Sequence, residues 1–253
     1  MLKTRVMPCL LLRGSGLVKT VRFKDPKYVG DPINTVRIFN EKEVDELIFL
    51  DITATPEGKG PPFHIISDLA SECFMPLTYG GGVRDLDDIK KIFALGVEKI
   101  AINTHAVENP EFINRAAEVF GSQSILAAID VKKTLLGKYR VCTNGARDVT
   151  KIDPVGHARN MAHAGAGEIL LTSVDRDGTF AGYDLALIER VARAVTIPVI
   201  ACGGAGKIED FSLATRQAGA SAVAAGSMVV YQGPHRAVLV NFPSKQDLKK
   251  VLD

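Results

Sequence analysis

Short, continuously apolar runs of strand length recur along the chain: VMPCLLL (6–12), ELIFLDI (46–52), MPLTYG (75–80), EKIAIN (98–103), SILAAID (124–130), EILLTSV (168–174), IPVIAC (197–202) and SAVAAG (221–226). Runs that do not alternate with polar residues belong to strands buried on both faces, as in a parallel sheet covered by helices. Between them the period changes to that of a helix, in LDDIKKIFALG (86–96), PEFINRAAEVFG (110–121), PVGHARNMAHAG (154–165), YDLALIERVARAV (183–195) and EDFSLATRQAG (209–219). In the last of these, Phe211, Ala214 and Ala218 fall on one helical face. Gly96, Gly165 and Gly219 stand where a residue able to take positive φ closes the final turn. Eight strand–helix units predict an α/β fold of the (β/α)8 TIM-barrel class, as one domain over 1–253. A doubly wound sheet competes with it, but such a sheet has fewer strands and a single phosphate loop after the first. Here the glycine-rich loops follow the third and seventh strands.

That placement reveals an internal repeat. Glu46 in EKEVDELIFL pairs with Glu168 in AGAGEILLTS, and Pro76 before TYGGGV pairs with Pro198 before IACGGAG, both at an offset of 122 residues. Thr104 pairs with Ser227 one residue further on. A near-constant offset over three elements predicts two duplicated half-barrels.

Composition narrows the function classes. With 46% hydrophobic residues the chain has material for a full core, so disorder is excluded. The net charge of +2, without a basic block, gives no field for a polyanion, so no nucleic-acid partner is expected. The N-terminal apolar run is too short to span a bilayer, so no membrane partner is expected either. Cys9, Cys73, Cys142 and Cys202 are widely spaced and show no ligand pattern, which points to a reducing, cytoplasmic setting without a metal. His64, His105, His157, His163 and His235 are scattered and receive no catalytic or metal role.

The chemistry of such barrels lies on the loops after the strands. Gly80, Gly81 and Gly82 follow the third strand and Asn103–Thr104 the fourth; Gly203–Gly204 follow the seventh and Gly226–Ser227 the eighth. Glycine lets backbone N–H groups approach an anion, and the neighbouring hydroxyl adds a donor. Two such cradles at the repeat offset predict a ligand with a phosphate at each end. Asp130 closes the fifth strand and is the candidate general acid or base. Asp51, Asp175 and Asp177 orient substrate or brace loops, and Thr172 lies at the end of the sixth strand. Lys19 sits in RGSGLVKTVRF, a glycine-rich, basic segment that reads as a mobile lid.

These residues resemble the HisF family, the cyclase subunits of imidazole glycerol phosphate synthase. The resemblance is carried by RVMPCL (5–10), VDELIFLDITAT (44–55), YGGGVRD (79–85), INTHAVENP (102–110), FGSQSILAAID (120–130), GAGEILLTSVDRDGT (165–179) and CGGAGKIEDF (202–211), in order along nearly the whole chain. It implies a substrate with two phosphates, phosphoribulosyl-formimino aminoimidazole carboxamide ribonucleotide. Ammonia from a HisH-like glutaminase subunit converts it to imidazole glycerol phosphate and aminoimidazole carboxamide ribonucleotide. No cofactor is implied. The glutaminase docks at the N-terminal face of the barrel, where Arg5, Glu46, Lys99 and Glu168 match the family's ammonia gate and Gln123 matches a residue of the same region. Asp130 and Lys19 match catalytic positions.

One position departs from the family. Leu11 stands where the family has the aspartate that pairs with the one at Asp130. Leucine neither takes nor delivers a proton, so the family reaction is expected to be impaired. Two alternatives stand beside it: a paralogue passing ammonia to a sugar amidotransferase of surface-polysaccharide (lipopolysaccharide) biosynthesis, and a non-catalytic scaffold that activates its glutaminase.

Overall fold

The structure, a computed structural model, describes residues 4–252. Eight parallel strands form its centre: β1 (Arg5–Arg13), β2 (Leu47–Asp51), β3 (Leu77–Gly80), β4 (Lys99–Ile102), β5 (Ile125–Lys133), β6 (Glu168–Ser173), β7 (Val199–Cys202) and β8 (Ala222–Ala225). Each pairs with the next, and β8 returns to β1 through Arg5↔Ala222 and Val6↔Val223. The sheet is therefore closed, a (β/α)8 barrel.

Closure explains why the strands read as unbroken apolar runs. One face of each strand fills the barrel interior, where Met7, Cys9, Ile48, Leu126, Leu170 and Ile200 pack together. The other face meets the helices, so Val6, Leu10, Phe49, Ile100 and Ile169 join Phe39, Phe112 and Phe211 in the larger outer core. Each large apolar side chain buried this way contributes roughly 1.5–3 kcal/mol.

All eight strands fall where the apolar runs lie. The helices Leu86–Ala94, Glu111–Phe120, Pro154–His163 and Leu185–Ala192 occupy the helical segments, and Gly96, Gly165 and Gly219 all take positive φ. Among the described residues four helices start on an aspartate cap, and two of these add a proline in the first turn: Asp31 before Pro32–Glu41 accepts from the Asn34 N–H, and Asp153 before Pro154–His163 accepts from the Gly156 N–H.

Two expectations change. Segment 209–219 is an α-helical turn, Glu209–Ser212, followed by a wide π turn, Leu213–Gln217. There the Thr215 hydroxyl donates to Phe211 O and the Ala218 N–H reaches back to Leu213 O. Phe211, Ala214 and Ala218 remain on the buried face. The segment after β1, expected to be a mobile lid, is instead a hairpin of Gly16–Val21 and Lys24–Gly30 folded back on β1 through Leu11↔Val18 and Arg13↔Gly16. Its tip is tied to the β6 loop: the Thr20 hydroxyl donates to Asp177 Oδ2 at 2.9 Å and the Arg22 N–H to Asp177 O at 2.9 Å.

The repeat is visible in the architecture. β5, like β1, spans nine residues and folds into an antiparallel hairpin, here with Tyr139–Thr143.

Candidate active site

At the N-terminal end of the barrel, the first inward residues of β1 and β6, the residue preceding β2 and the first of β4 form a closed ring of alternating charge. Arg5 donates to Glu46 at 2.9 Å and to Glu168 at 2.5 Å; Lys99 reaches Glu46 at 3.0 Å and Glu168 at 3.2 Å. The Thr78 hydroxyl gives Glu46 a further bond of 2.8 Å. Removing charges from water is costly, and here each is matched by two opposite partners. Strand order alone brings these four together from positions up to 163 residues apart. Burial lowers the Arg5 pKa, but the two carboxylates outweigh it and hold the guanidinium above its ordinary value.

At the opposite end the two glycine cradles share one design. Gly81 and Gly203 take φ of 125° and 86°, and a Cβ on either would lie 2.6 and 2.7 Å from the carbonyl oxygens of Asp51 and Ser173, which end the preceding strands. Only glycine fits there, so the tight strand–loop turn is a backbone requirement at both cradles.

Their surroundings differ sharply. The first cradle opens into a cavity of about 890 Å³ that includes Gly81, Gly82, Asn103, Thr104, Asp51 and Asp130. The second lies in one of about 30 Å³ with Lys19, Thr172, Asp177, Gly203, Gly204, Gly226 and Ser227. Leu11, Phe23 and Leu50 border both cavities. Lys19 is buried, and its ammonium lies where a side chain on residue 226 would extend.

Asp130 sits on the wall of the larger cavity, paired in register with Thr172. Burial pushes its carboxyl up to about 7; a Thr172 hydrogen bond opposes this, and the charge of Asp177 adds to it. A carboxyl with that pKa exchanges protons readily near neutral pH. Asp51 braces its own loop, its Oδ1 accepting from the Thr53 N–H, the Thr53 hydroxyl and the Ala54 N–H. Asp175 accepts from the Lys133 N–H and ties down the β5 hairpin. Asn103 donates its amide to Ala128 O, and the Thr104 hydroxyl accepts from the Asn144 N–H.

Every residue singled out at the mouth thus lines one cavity or the other or, like Asp175, braces a loop beside it. Sequence reasoning missed several neighbours. Arg13 at the end of β1, Phe23 at the hairpin turn, Arg84 within YGGGVRD and Arg147 beyond the β5 hairpin border the larger cavity, and none of them was given a role. Cys9 and Cys202, far apart in sequence, share a hydrogen bond below the second cradle that pulls the Cys9 thiol down and pushes the Cys202 thiol up. The signal for that pair was the inward phase of two strand positions. Among the described residues no cluster of three or more His, Cys, Asp or Glu side chains is placed to hold a metal ion, and no helix is long and apolar enough to cross a membrane.

Fold and site together define a (β/α)8 barrel with a charged floor and a mouth built around paired glycine turns. Comparison with known proteins gives the family. The family described as "Histidine biosynthesis protein" matches residues 5–235. The chain is 53% identical to "Putative imidazole glycerol phosphate synthase subunit hisF2" of Pseudomonas aeruginosa, over 98% of this chain and 99% of that protein. It is 47% identical to "Putative imidazole glycerol phosphate synthase subunit HisF" of Leptospira interrogans, over 98% of each. It is 45% identical to "Imidazole glycerol phosphate synthase subunit HisF" of Alkaliphilus metalliredigens, over 91% of this chain and 92% of that one. The chain belongs to this family, that of the HisF-like imidazole glycerol phosphate synthase subunits.

Proposed function

We propose that the chain is a cyclase-type synthase subunit that takes ammonia from a glutaminase docked at its N-terminal face and uses it on a bisphosphate held across the barrel mouth. The ligand is phosphoribulosyl-formimino aminoimidazole carboxamide ribonucleotide or a close analogue, with one phosphate at Gly82, Asn103 and Thr104 and the other at Gly203, Gly204, Gly226 and Ser227. The observation that carries this reading is the closed charge ring on the floor beneath a mouth that holds Asp130 and both cradles. Neutral ammonia crosses such a ring when one ion pair opens. Lys99 is the weakest link: its ammonium is a point charge, whereas the Arg5 guanidinium forks between two carboxylates.

At the mouth Asp130 is the proton donor, because burial keeps its carboxyl protonated up to about pH 7. Lys19 supplies the cation of the second cradle. Leu11 borders both cavities and contributes no proton, so one half of an acid–base pair is absent and turnover with this substrate is slow.

The test supplies the purified chain with ammonium salt and the bisphosphate. Cyclisation by the native chain is expected at 10²–10⁴-fold below an aspartate-bearing relative, roughly the worth of one positioned proton-transfer group. Leu11→Asp is expected to recover part of that loss. Full family rates in the native chain, or failure of the ligand to bind, would sink the reading.

A further inference from the structure

The larger cavity holds an imbalance that the bisphosphate reading leaves unused. Five carboxylates line it, and each already has a partner. Asp51 is bonded to Thr53, Glu57 to Lys59, Asp148 to the Asn144 amide and Asp130 to Thr172, while Glu108 lies 3.9 Å from His105. Three exposed guanidiniums line the same cavity: Arg13 at the end of β1, Arg84 after β3 and Arg147 beyond the β5 hairpin. Among the described residues these three side chains enter no hydrogen bond or ion pair; Arg13 and Arg147 act on Glu57 only at a distance, weakly beside Lys59. The three arginines thus bring unpaired donor capacity on fixed positive charge to the cavity that holds the first glycine cradle. The second cavity contains no arginine; its one cation, Lys19, already fills the space beside Gly226.

We propose that Arg13, Arg84 and Arg147 clamp the phosphate seated in the first cradle, and that this cradle engages its phosphate first and more tightly than the second. The proposal rests on the bisphosphate reading and adds the order and residues of engagement. Guanidinium forks match phosphate oxygens in pairs and stay charged at every working pH. The first cradle is open and the three arginines beside it are free, although the Gly82 N–H is held by the Thr55 hydroxyl at 3.3 Å and the Asn103 amide by Ala128 O. The second is a space of about 30 Å³ that the Lys19 ammonium already occupies, so the lysine must shift before it can hold a phosphate there, and that opening weakens its apparent affinity.

The experiment titrates the full-length, 15N-labelled chain with inorganic phosphate and follows the backbone amides of Gly82 and Gly204. The Gly82 midpoint is expected about tenfold or more below that of Gly204, a difference on the order of one charge-assisted hydrogen bond. In the triple variant R13A/R84A/R147A the Gly82 midpoint should rise by about tenfold while Gly204 stays in place, because a truncated surface arginine leaves the core untouched. Replacing the three with lysine, which keeps the charge but loses the fork, should fall in between. Equal midpoints in the native chain, Gly204 saturating first, or an unmoved Gly82 midpoint in the triple variant would overturn the clamp and leave the bisphosphate reading standing. No phosphate response at either amide would remove both.

Discussion

The floor and the mouth of this barrel treat charge in opposite ways. On the floor four charged side chains neutralise one another in a closed ring, each with two partners and with Glu46 sealed from water. At the mouth Asp130 has no cationic partner in bonding range among the described residues, and burial pushes its carboxyl up to about 7. Paired charges resist proton exchange and hold shape; an isolated buried carboxyl is a proton donor waiting for a substrate. One set of strands thus carries a self-neutralised ring at one end and a carboxyl able to exchange a proton near neutral pH at the other.

The sharpest way to break that contrast is to remove the proton at the mouth. Asp130→Asn keeps the shape, and a loss of about 10²–10⁴ in kcat of ammonia-dependent cyclisation is expected with little change in KM, checked by steady-state kinetics. The pH profile gives the same test without mutation. Because the Asp130 carboxyl is raised, the donor form dominates below about 7, and the rate should fall as pH rises through that value. In Asp130→Asn the residual rate should lose this limb. A limb that persists belongs to another group.

On the floor the expected effect is on stability. Glu46→Gln leaves Arg5 and Lys99 facing a single carboxylate, and breaking a buried pair from one side costs about 3–5 kcal/mol. Since Arg5 is 29% exposed, the lower end of that range is expected, about 3 kcal/mol in urea unfolding. Cutting the surface pair Arg37–Glu72 with Arg37→Ala should cost under about 1 kcal/mol, since water already solvates both groups. If the two substitutions cost the same, the ring is no more than a set of surface pairs and the contrast fails.

These two regions were also unequally legible in the sequence. The barrel strands were plain because burial on both faces erases alternation, whereas the ring residues were named through the family resemblance, since a charge at the start of one strand does not say which others join it. The cradles followed from glycines at a fixed offset. The hairpin after β1 was not legible. GLVKTV mixes polar and apolar positions, and its two-residue turn uses Arg22 and Phe23, both at positive φ, where an Asn-Gly pair would have announced it. Lys19 was therefore placed in a mobile segment, although the fold of that hairpin buries it. Arg13, Arg84 and Arg147 were hidden for a different reason: they line one cavity from the end of β1 and from two loops, and no spacing in one dimension records that.

The weakest expected effect tests whether isolated burial matters away from the mouth. His157, on the helix Pro154–His163, is buried and its Nε2 has no hydrogen-bond partner among the described residues; desolvation lowers its pKa. The unfolded chain therefore binds this proton more readily than the folded one, so stability should fall as pH drops from about 6.5, the ordinary histidine value, towards the lower folded value. Above that window the histidine is neutral in both states and contributes no slope. His157→Leu removes the titration and should flatten the decline between pH 6.5 and 5 in urea unfolding, while leaving cyclisation at pH 8 unchanged. An unaltered slope would place the acid sensitivity of the fold elsewhere, and would mean that a lone buried base beneath a helix lacks the leverage that a lone buried acid has at the mouth.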